Sequence, residues 1–211
     1  MKCQMLRLGF LASGNGSSAR AIMAAIQSGE LAAQARLMVS NNKSAPALRF
    51  ASEAGVPSLC IATQAEPDAA DRRLADAMTA HGVQLIVLSG YLRQLGPKTL
   101  SRFAGRILNI HPGPLPAFGG HGMYGRRVHE AVIAASVTQS GIVIHLVDEE
   151  YDRGPVIARR AVAVQVGDTA ESLEARVTAL EPGFYVETLR AIAEGKIPMP
   201  EMQPNISDNI P

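Results

Sequence analysis

Three short stretches of the chain carry side chains whose types and spacing could do chemistry. The first is Asn109-Ile110-His111-Pro112. It closes an apolar run, Arg106–Ile110, that reads as a buried strand. Alternate residues of a strand face one side, so an amide and an imidazole project together where the strand ends. Pro112 stops the strand and holds His111 at its rim. Imidazole moves protons near neutral pH, and an amide N–H can stabilise a developing oxyanion. The plain alternative, an Asn turn with a surface His, is disfavoured by the buried strand before it. The second stretch is His145-Leu146-Val147-Asp148-Glu149-Glu150-Tyr151-Asp152-Arg153-Gly154-Pro155. Glu149 and Glu150 read as a solvated loop. Asp152 stands apart because Arg153-Gly154-Pro155 forces a sharp turn beside it, and a carboxylate there could pair with an imidazole and raise its pKa. The third stretch, Ser13-Gly14-Asn15-Gly16-Ser17-Ser18, joins a strand to a helix. Its glycines admit close approach of a ligand, and the helix start offers N–H groups to an anion. It lacks the GxGxxG and GKS/GKT patterns, so a monophosphate suits it better than a dinucleotide or triphosphate. A tight turn with a serine cap explains the same residues equally well.

The elements that must position these residues follow from periodicity. Strands are expected at Leu6–Ala12, Ala35–Ser40, Val56–Ile61, Val83–Leu88, Arg106–Ile110, Gly141–Val147 and Pro155–Val166. Helices are expected at Ala19–Ile26, Ala45–Ala54, Asp68–His81, Lys98–Phe103 and Val128–Ala135, with a long one from Asp168. Asp168 and Glu171 stand in capping-box spacing, and Pro182-Gly183 should kink that last helix. The βαβ rhythm predicts an α/β fold of Rossmann-like type, a largely parallel sheet with helices on both faces. The last two strands are close enough to form a hairpin, so an antiparallel strand is expected in the C-terminal half. A single domain over residues 1–194 is expected, followed by a proline-rich tail over 195–211 with prolines at 198, 200, 204 and 211. The loop Pro116–Gly125 holds four glycines and reads as a lid, with Met123 and Tyr124 as its inward contact.

Composition removes several function classes. The chain has 211 residues, 47% of them hydrophobic, and a net charge of +1. That balance argues against nucleic-acid and membrane partners, and no stretch is long enough to span a bilayer. Arg7 interrupts the only run resembling a signal peptide. Cys3 and Cys60 form no disulfide framework, which fits a reducing cytoplasm, and Cys60 reads as a small core residue. Metal binding is rejected because none of His81, His111, His121, His129 and His145 shows zinc spacing on a helix.

Taken together, five segments in order resemble the glycinamide ribonucleotide formyltransferases, folate-dependent enzymes of purine synthesis. They are Ser13-Gly14-Asn15-Gly16-Ser17, Ser40-Asn41, Gly90-Tyr91-Leu92-Arg93, Asn109-Ile110-His111-Pro112 and Asp152-Arg153-Gly154-Pro155. The resemblance implies transfer of a formyl group from 10-formyltetrahydrofolate, as cosubstrate, to the ribonucleotide's amine, with no metal. It assigns Asn109, His111 and Asp152 to catalysis, and Gly16, Ser17, Ser18 and Glu181 to the ribonucleotide. It assigns Leu92, Arg93, Gln94, Leu95, Asn109, Asp148, Glu149, Glu150, Tyr151 and Asp152 to the folate, mostly through the backbone. His145 matches a histidine near the site. Small-molecule substrates and a monomer or homodimer are expected. The sequence departs from the family where Gly113-Pro114 replaces Ser-Leu, at Arg153, and near Pro67, where some members carry a folate-side arginine. Methionyl-tRNA formyltransferase would need a further C-terminal domain and a basic surface. Sugar-nucleotide formyltransferases fit the phosphate turn poorly, and formyltetrahydrofolate hydrolase normally carries an extra N-terminal domain. A non-catalytic Rossmann module would want an acid where Ser40-Asn41-Asn42 stands.

Overall fold

A computed structural model describes residues 5–199. Its elements run β1 (Leu6–Leu11), α1 (Ser17–Gln27), β2 (Ala33–Ser40), α2 (Pro46–Glu53), β3 (Ser58–Cys60), α3 (Pro67–Ala80), β4 (Leu85–Leu88), α4 (Pro97–Arg102), β5 (Ile107–His111), α5 (Arg126–Ala134), β6 (Gln139–Leu146), β7 (Val156–Ala163) and α6 (Ala170–Ala193). The strands form one sheet in the order β3-β2-β1-β4-β5-β6-β7. Pairings from β3 to β5 are parallel, while β5–β6 and β6–β7 are antiparallel.

β4 is apolar at every step, and β1 is apolar except at Arg7, because both sheet faces are covered there. Leu8 and Phe10 of β1, Met38 of β2 and Leu85 and Val87 of β4 pack on one side with Ile22 of α1 and Tyr185 and Leu189 of α6. Leu11, Leu37, Val39, Ile86 and Leu88 pack on the other with Leu74 and Met78 of α3. This period of two assigns each residue to a face. Pro46, Pro67 and Pro97 open α2, α3 and α4, where a missing N–H costs nothing. The buried Asp71 of α3 caps α4, accepting from the N–H groups of Lys98 (2.8 Å) and Thr99 (3.1 Å). It thereby fixes the end of the segment Leu92–Leu95.

Four local expectations are corrected. Cys60 is exposed, because β3 is a short edge strand with no neighbour beyond it. The serines at the head of α1 do not cap it; Gly16, at φ 61° and ψ 47°, takes the cap position without a side-chain bond. The capping box of α6 is formed by Thr169 and Ser172, one residue later than expected. Asp168 is committed instead to Arg176 (2.6 Å). The second hairpin strand ends at Ala163, so Val166 lies beyond it in full solvent. Helix α6 runs through Pro182 as one element. The Tyr185 hydroxyl donates to the Leu108 carbonyl (2.9 Å) and ties that helix to β5. Of the expected proline-rich tail, residues 200–211 lie outside the described residues, as does Cys3.

Candidate active site

Strands β1, β4 and β5 are parallel neighbours, so their C-terminal ends meet at one edge of the sheet. The chain leaves β1 towards β2 on one side and β4 leads towards β5 on the other, and the crevice between such strands is where ligands bind in open α/β sheets. Ser13 braces this edge. Its N–H donates to the Gly90 carbonyl (3.0 Å), its Oγ donates to Asn41 Oδ1 (2.6 Å), and the Leu92 N–H donates to that same Oγ (2.8 Å). One residue thus joins the turns after β1, β2 and β4. At the head of α1 the Ala19 N–H donates to the buried Ser89 Oγ (3.0 Å). Among the described residues, the N–H groups of Gly16, Ser17 and Ser18 have no acceptor. Gly16 is required there, since its left-handed backbone and the Cβ atoms of Ala12 and Ala47 leave no comfortable place for a side chain.

The catalytic candidates converge further along the same edge. The antiparallel register sets Asn109 opposite His145, and Asn109 Nδ2 lies 3.2 Å from His145 Nε2. His145 Nδ1 lies 2.9 Å from the Leu146 carbonyl, which can only accept. With Nδ1 donating there, Nε2 lies between Asn109 Nδ2 and, at 3.4 Å, Asp152 Oδ1, and holds the Asn109 amide in place. By the same logic His111 carries a proton on Nε2, which donates to the Phe118 carbonyl (2.8 Å). Its Nδ1 faces Asp152 Oδ2 at 3.5 Å, and Asp152 Oδ1 stands 3.4 Å from His145 Nε2. The carboxylate thus reaches both imidazoles directly. Asp152 adopts a left-handed φ of 57°, rare outside glycine and asparagine, and accepts the Gly120 N–H at 2.9 Å. Only glycine fits at 119, because a Cβ there would stand 2.9 Å from that of Asp152.

Burial pushes the His111 imidazole down, while the Asp152 carboxylate and the Phe118 carbonyl push it back up; the balance lies below the ordinary histidine value. The expected upward push from Asp152 is present, but burial outweighs it. Burial raises the Asp152 carboxyl, yet its hydrogen bond to His145, the charge of His111 and the Gly120 N–H hold it below the usual range. Glu181 of α6 is pushed up to about 7 by burial.

These residues border one cavity of about 630 Å³, a size suited to a small-molecule ligand. Its lining takes in Asn109, His111, His145 and Asp152, the segments Leu92–Leu95 and Asp148–Tyr151, and Glu181. The turn Gly16-Ser17-Ser18 is not part of that lining; Ser13, which precedes it, bonds to Gly90, which is. Leu92, Tyr124 and Tyr151 give the mouth an apolar rim, and the His121 and Tyr151 rings meet edge to face at 5.8 Å. Of the loop expected to act as a lid, residues 118–120 are anchored on His111 and Asp152, whereas Tyr124 stays exposed. Sequence reasoning named Ser13 only as part of the turn and His129 only among rejected metal ligands, and it missed Ser89 and the Phe118 carbonyl. The run Gly119-Gly120 was the available signal for a close approach. Among the described residues no group of three or more metal-ligating side chains is found, and no helix is long and apolar enough to cross a membrane.

Residues 6–189 match the family model described as formyl transferase. The chain belongs to the formyl transferase family. Phosphoribosylglycinamide formyltransferase of Bacillus subtilis is 33% identical over 190 residues, covering 89% of this chain and 95% of that protein. The chloroplastic phosphoribosylglycinamide formyltransferase of Arabidopsis thaliana is 38% identical over 90% of this chain. The chain spans 66% of that plant protein's length and 62% of the Vigna unguiculata relative's. Among solved structures, glycinamide ribonucleotide transformylase 1 of Symbiobacterium toebii superposes with a TM-score of 0.83 at 34% identity, covering 94% of this chain and 92% of that one.

Proposed function

We propose that the protein transfers the formyl group of 10-formyltetrahydrofolate to the amine of glycinamide ribonucleotide, a step of purine nucleotide biosynthesis. The observation that carries this reading is the convergence of Asn109, His111 and Asp152 on a cavity that also takes in Glu181. Relatives of that name align along most of the chain.

The residues fit both substrates. An apolar rim with main-chain donors and acceptors at Leu92–Leu95 and Asp148–Asp152 suits a flat heteroaromatic ring such as the folate's. The N–H groups of Gly16, Ser17 and Ser18 suit the ribonucleotide's phosphate. Glu181 faces the same cavity and suits the glycinamide amine. Holding amine and formyl carbon in line supplies much of the rate enhancement. As the amine attacks, negative charge grows on the formyl oxygen, and the Asn109 amide aimed by His145 donates to it. His111 has its Nε2 proton fixed by Phe118, so Nδ1 is the atom that takes the proton from the attacking amine and returns it to N10 of the folate as the bond between the formyl carbon and N10 breaks, releasing tetrahydrofolate. Asp152 stabilises the imidazolium that this creates. No covalent intermediate on the protein is required.

The test is an acceptor panel with 10-formyltetrahydrofolate: glycinamide ribonucleotide, initiator methionyl-tRNA, an amino-sugar nucleotide, and water alone. Consumption should require the ribonucleotide. A higher kcat/KM for another acceptor, or equal consumption with none, overturns the reading.

A further inference from the structure

His129 lies on α5 and is 1% exposed. Its Nδ1 is fully buried and has no hydrogen-bond partner, yet its ring borders the catalytic cavity. A buried imidazole with an unpaired nitrogen calls for an explanation, since nearly all buried polar groups in folded proteins find partners. The acid nearest in charge, Glu174 of α6, does not supply one; its Oε2 accepts from Arg126 Nε at 2.7 Å. Burial lowers the His129 imidazole, Glu174 raises it, and His111 and Arg126 lower it, leaving it below the ordinary value. The ring is therefore neutral at physiological pH, with one donor and one acceptor nitrogen.

Its place on the wall indicates the ligand. Glu174, Thr178 and Glu181 follow one another along α6 at intervals of four and three, one helix face, and all three border the cavity. His129 adjoins the Glu174 end of that stripe. The folate segments Leu92–Leu95 and Asp148–Asp152 come from other elements. We propose that His129 contacts the ribonucleotide and completes its hydrogen bonding with an uncharged hydroxyl or carboxamide of the glycinamide–ribose portion. This rests on the acceptor proposed above. A neutral imidazole can pair with either polarity of such a group, whereas the acids of the wall take only donors.

The test compares wild type with His129→Leu and His129→Gln, measuring kcat, KM for each substrate and Tm. Wild-type turnover with the ribonucleotide checks the functional reading separately. His129→Leu should raise KM for the ribonucleotide by about tenfold, the effect of one lost hydrogen bond. KM for the folate should change by less than about twofold, and Tm should hold or rise, because an unpaired buried nitrogen is replaced by apolar atoms. His129→Gln should recover most of the ribonucleotide affinity. Acceptors with 2-deoxyribose and with 3-deoxyribose separate the groups: a hydroxyl contact removes the difference between wild type and His129→Leu for the analogue that lacks that hydroxyl, and a carboxamide contact preserves it for both. An unchanged ribonucleotide KM in His129→Leu, or both KM values and Tm worsening together, overturns the proposal. If the leucine variant does not fold, the imidazole nitrogen shifts of wild-type His129 decide: ribonucleotide alone should move them, and no movement overturns the contact.

Discussion

The turn after β1 and the cluster at the end of β5 occupy the same edge of one sheet but are built differently. The turn offers main-chain N–H groups from consecutive residues, Gly16 to Ser18, and needs only the glycine conformation and a helix start. The cluster is made of side chains from three separate places, 109–111, 145 and 152, and is held by main-chain groups from a fourth, the Phe118 carbonyl and the Gly120 N–H. Main-chain donors bind a fixed charge whose position does not change during the reaction. Side chains are needed where charge appears and a proton moves. The function we propose assigns the parallel half of the sheet to holding substrate and the antiparallel half to chemistry.

The largest effect should come from removing a member of the cluster. Asn109→Ala, His111→Ala and Asp152→Ala should each lower kcat by on the order of a hundredfold or more. Steady-state assay at saturating substrates checks this, with circular dichroism to confirm folding. Retention of near-normal turnover in Asn109→Ala would remove the oxyanion role.

A smaller effect, confined to KM, should follow from spoiling the anchor. Ser17 is exposed at the first position of α1, where an acid favours the helix but repels a phosphate. Ser17→Asp should raise KM for the ribonucleotide about tenfold or more and leave that for the folate nearly unchanged. Equal changes in both would show that the turn holds no phosphate.

How legible each region was in the sequence follows from the same contrast. The turn was legible as a glycine-rich helix start, but its local residues suit a serine cap as well as an anion, and the cap position falls to Gly16 instead. The element order was legible too, since strands covered on both faces are continuously apolar and those with one exposed edge are not. Asn109 and His111 were legible as a strand-end pair, but the reach of Asp152 to both imidazoles depends on a β6–β7 connection that no local pattern specifies. The Phe118 carbonyl left no trace, because every residue has a carbonyl. His129 looked like any histidine on an apolar helix face. Cys60 was misread because a short apolar run does not reveal whether its strand lies at the edge of the sheet.

The pH dependence sharpens the chemical half. Asp152 pushes His111 upwards against burial. In Asp152→Asn that push is lost, so His111 should titrate lower still. If its imidazolium serves the developing oxyanion, the alkaline limb of the residual kcat profile should move to lower pH. A limb that stays in place would separate Asp152 from the protonation of His111.

The smallest effect concerns stability. Burial lifts the Glu181 carboxyl from 4.5 to about 7. Between those values the folded state binds more protons than the unfolded state, so ligand-free stability falls as pH rises through that window. Glu181→Gln should flatten this fall, seen as a smaller drop in Tm between about pH 5 and about pH 8. An unchanged drop would mean that Glu181 is better solvated than its surroundings indicate.

The division of labour is tested most directly by a double-mutant cycle between Ser17→Asp and His111→Ala. The single Ser17→Asp change should keep kcat within about threefold of wild type at saturating ribonucleotide, and His111→Ala should keep KM while losing kcat. In the double variant the two losses in kcat/KM should multiply, with a coupling energy below about 0.5 kcal/mol, as for independent sites. A fall in kcat for Ser17→Asp as deep as that for His111→Ala, with KM unmoved, would contradict the assignment of anchoring to one half of the sheet and chemistry to the other.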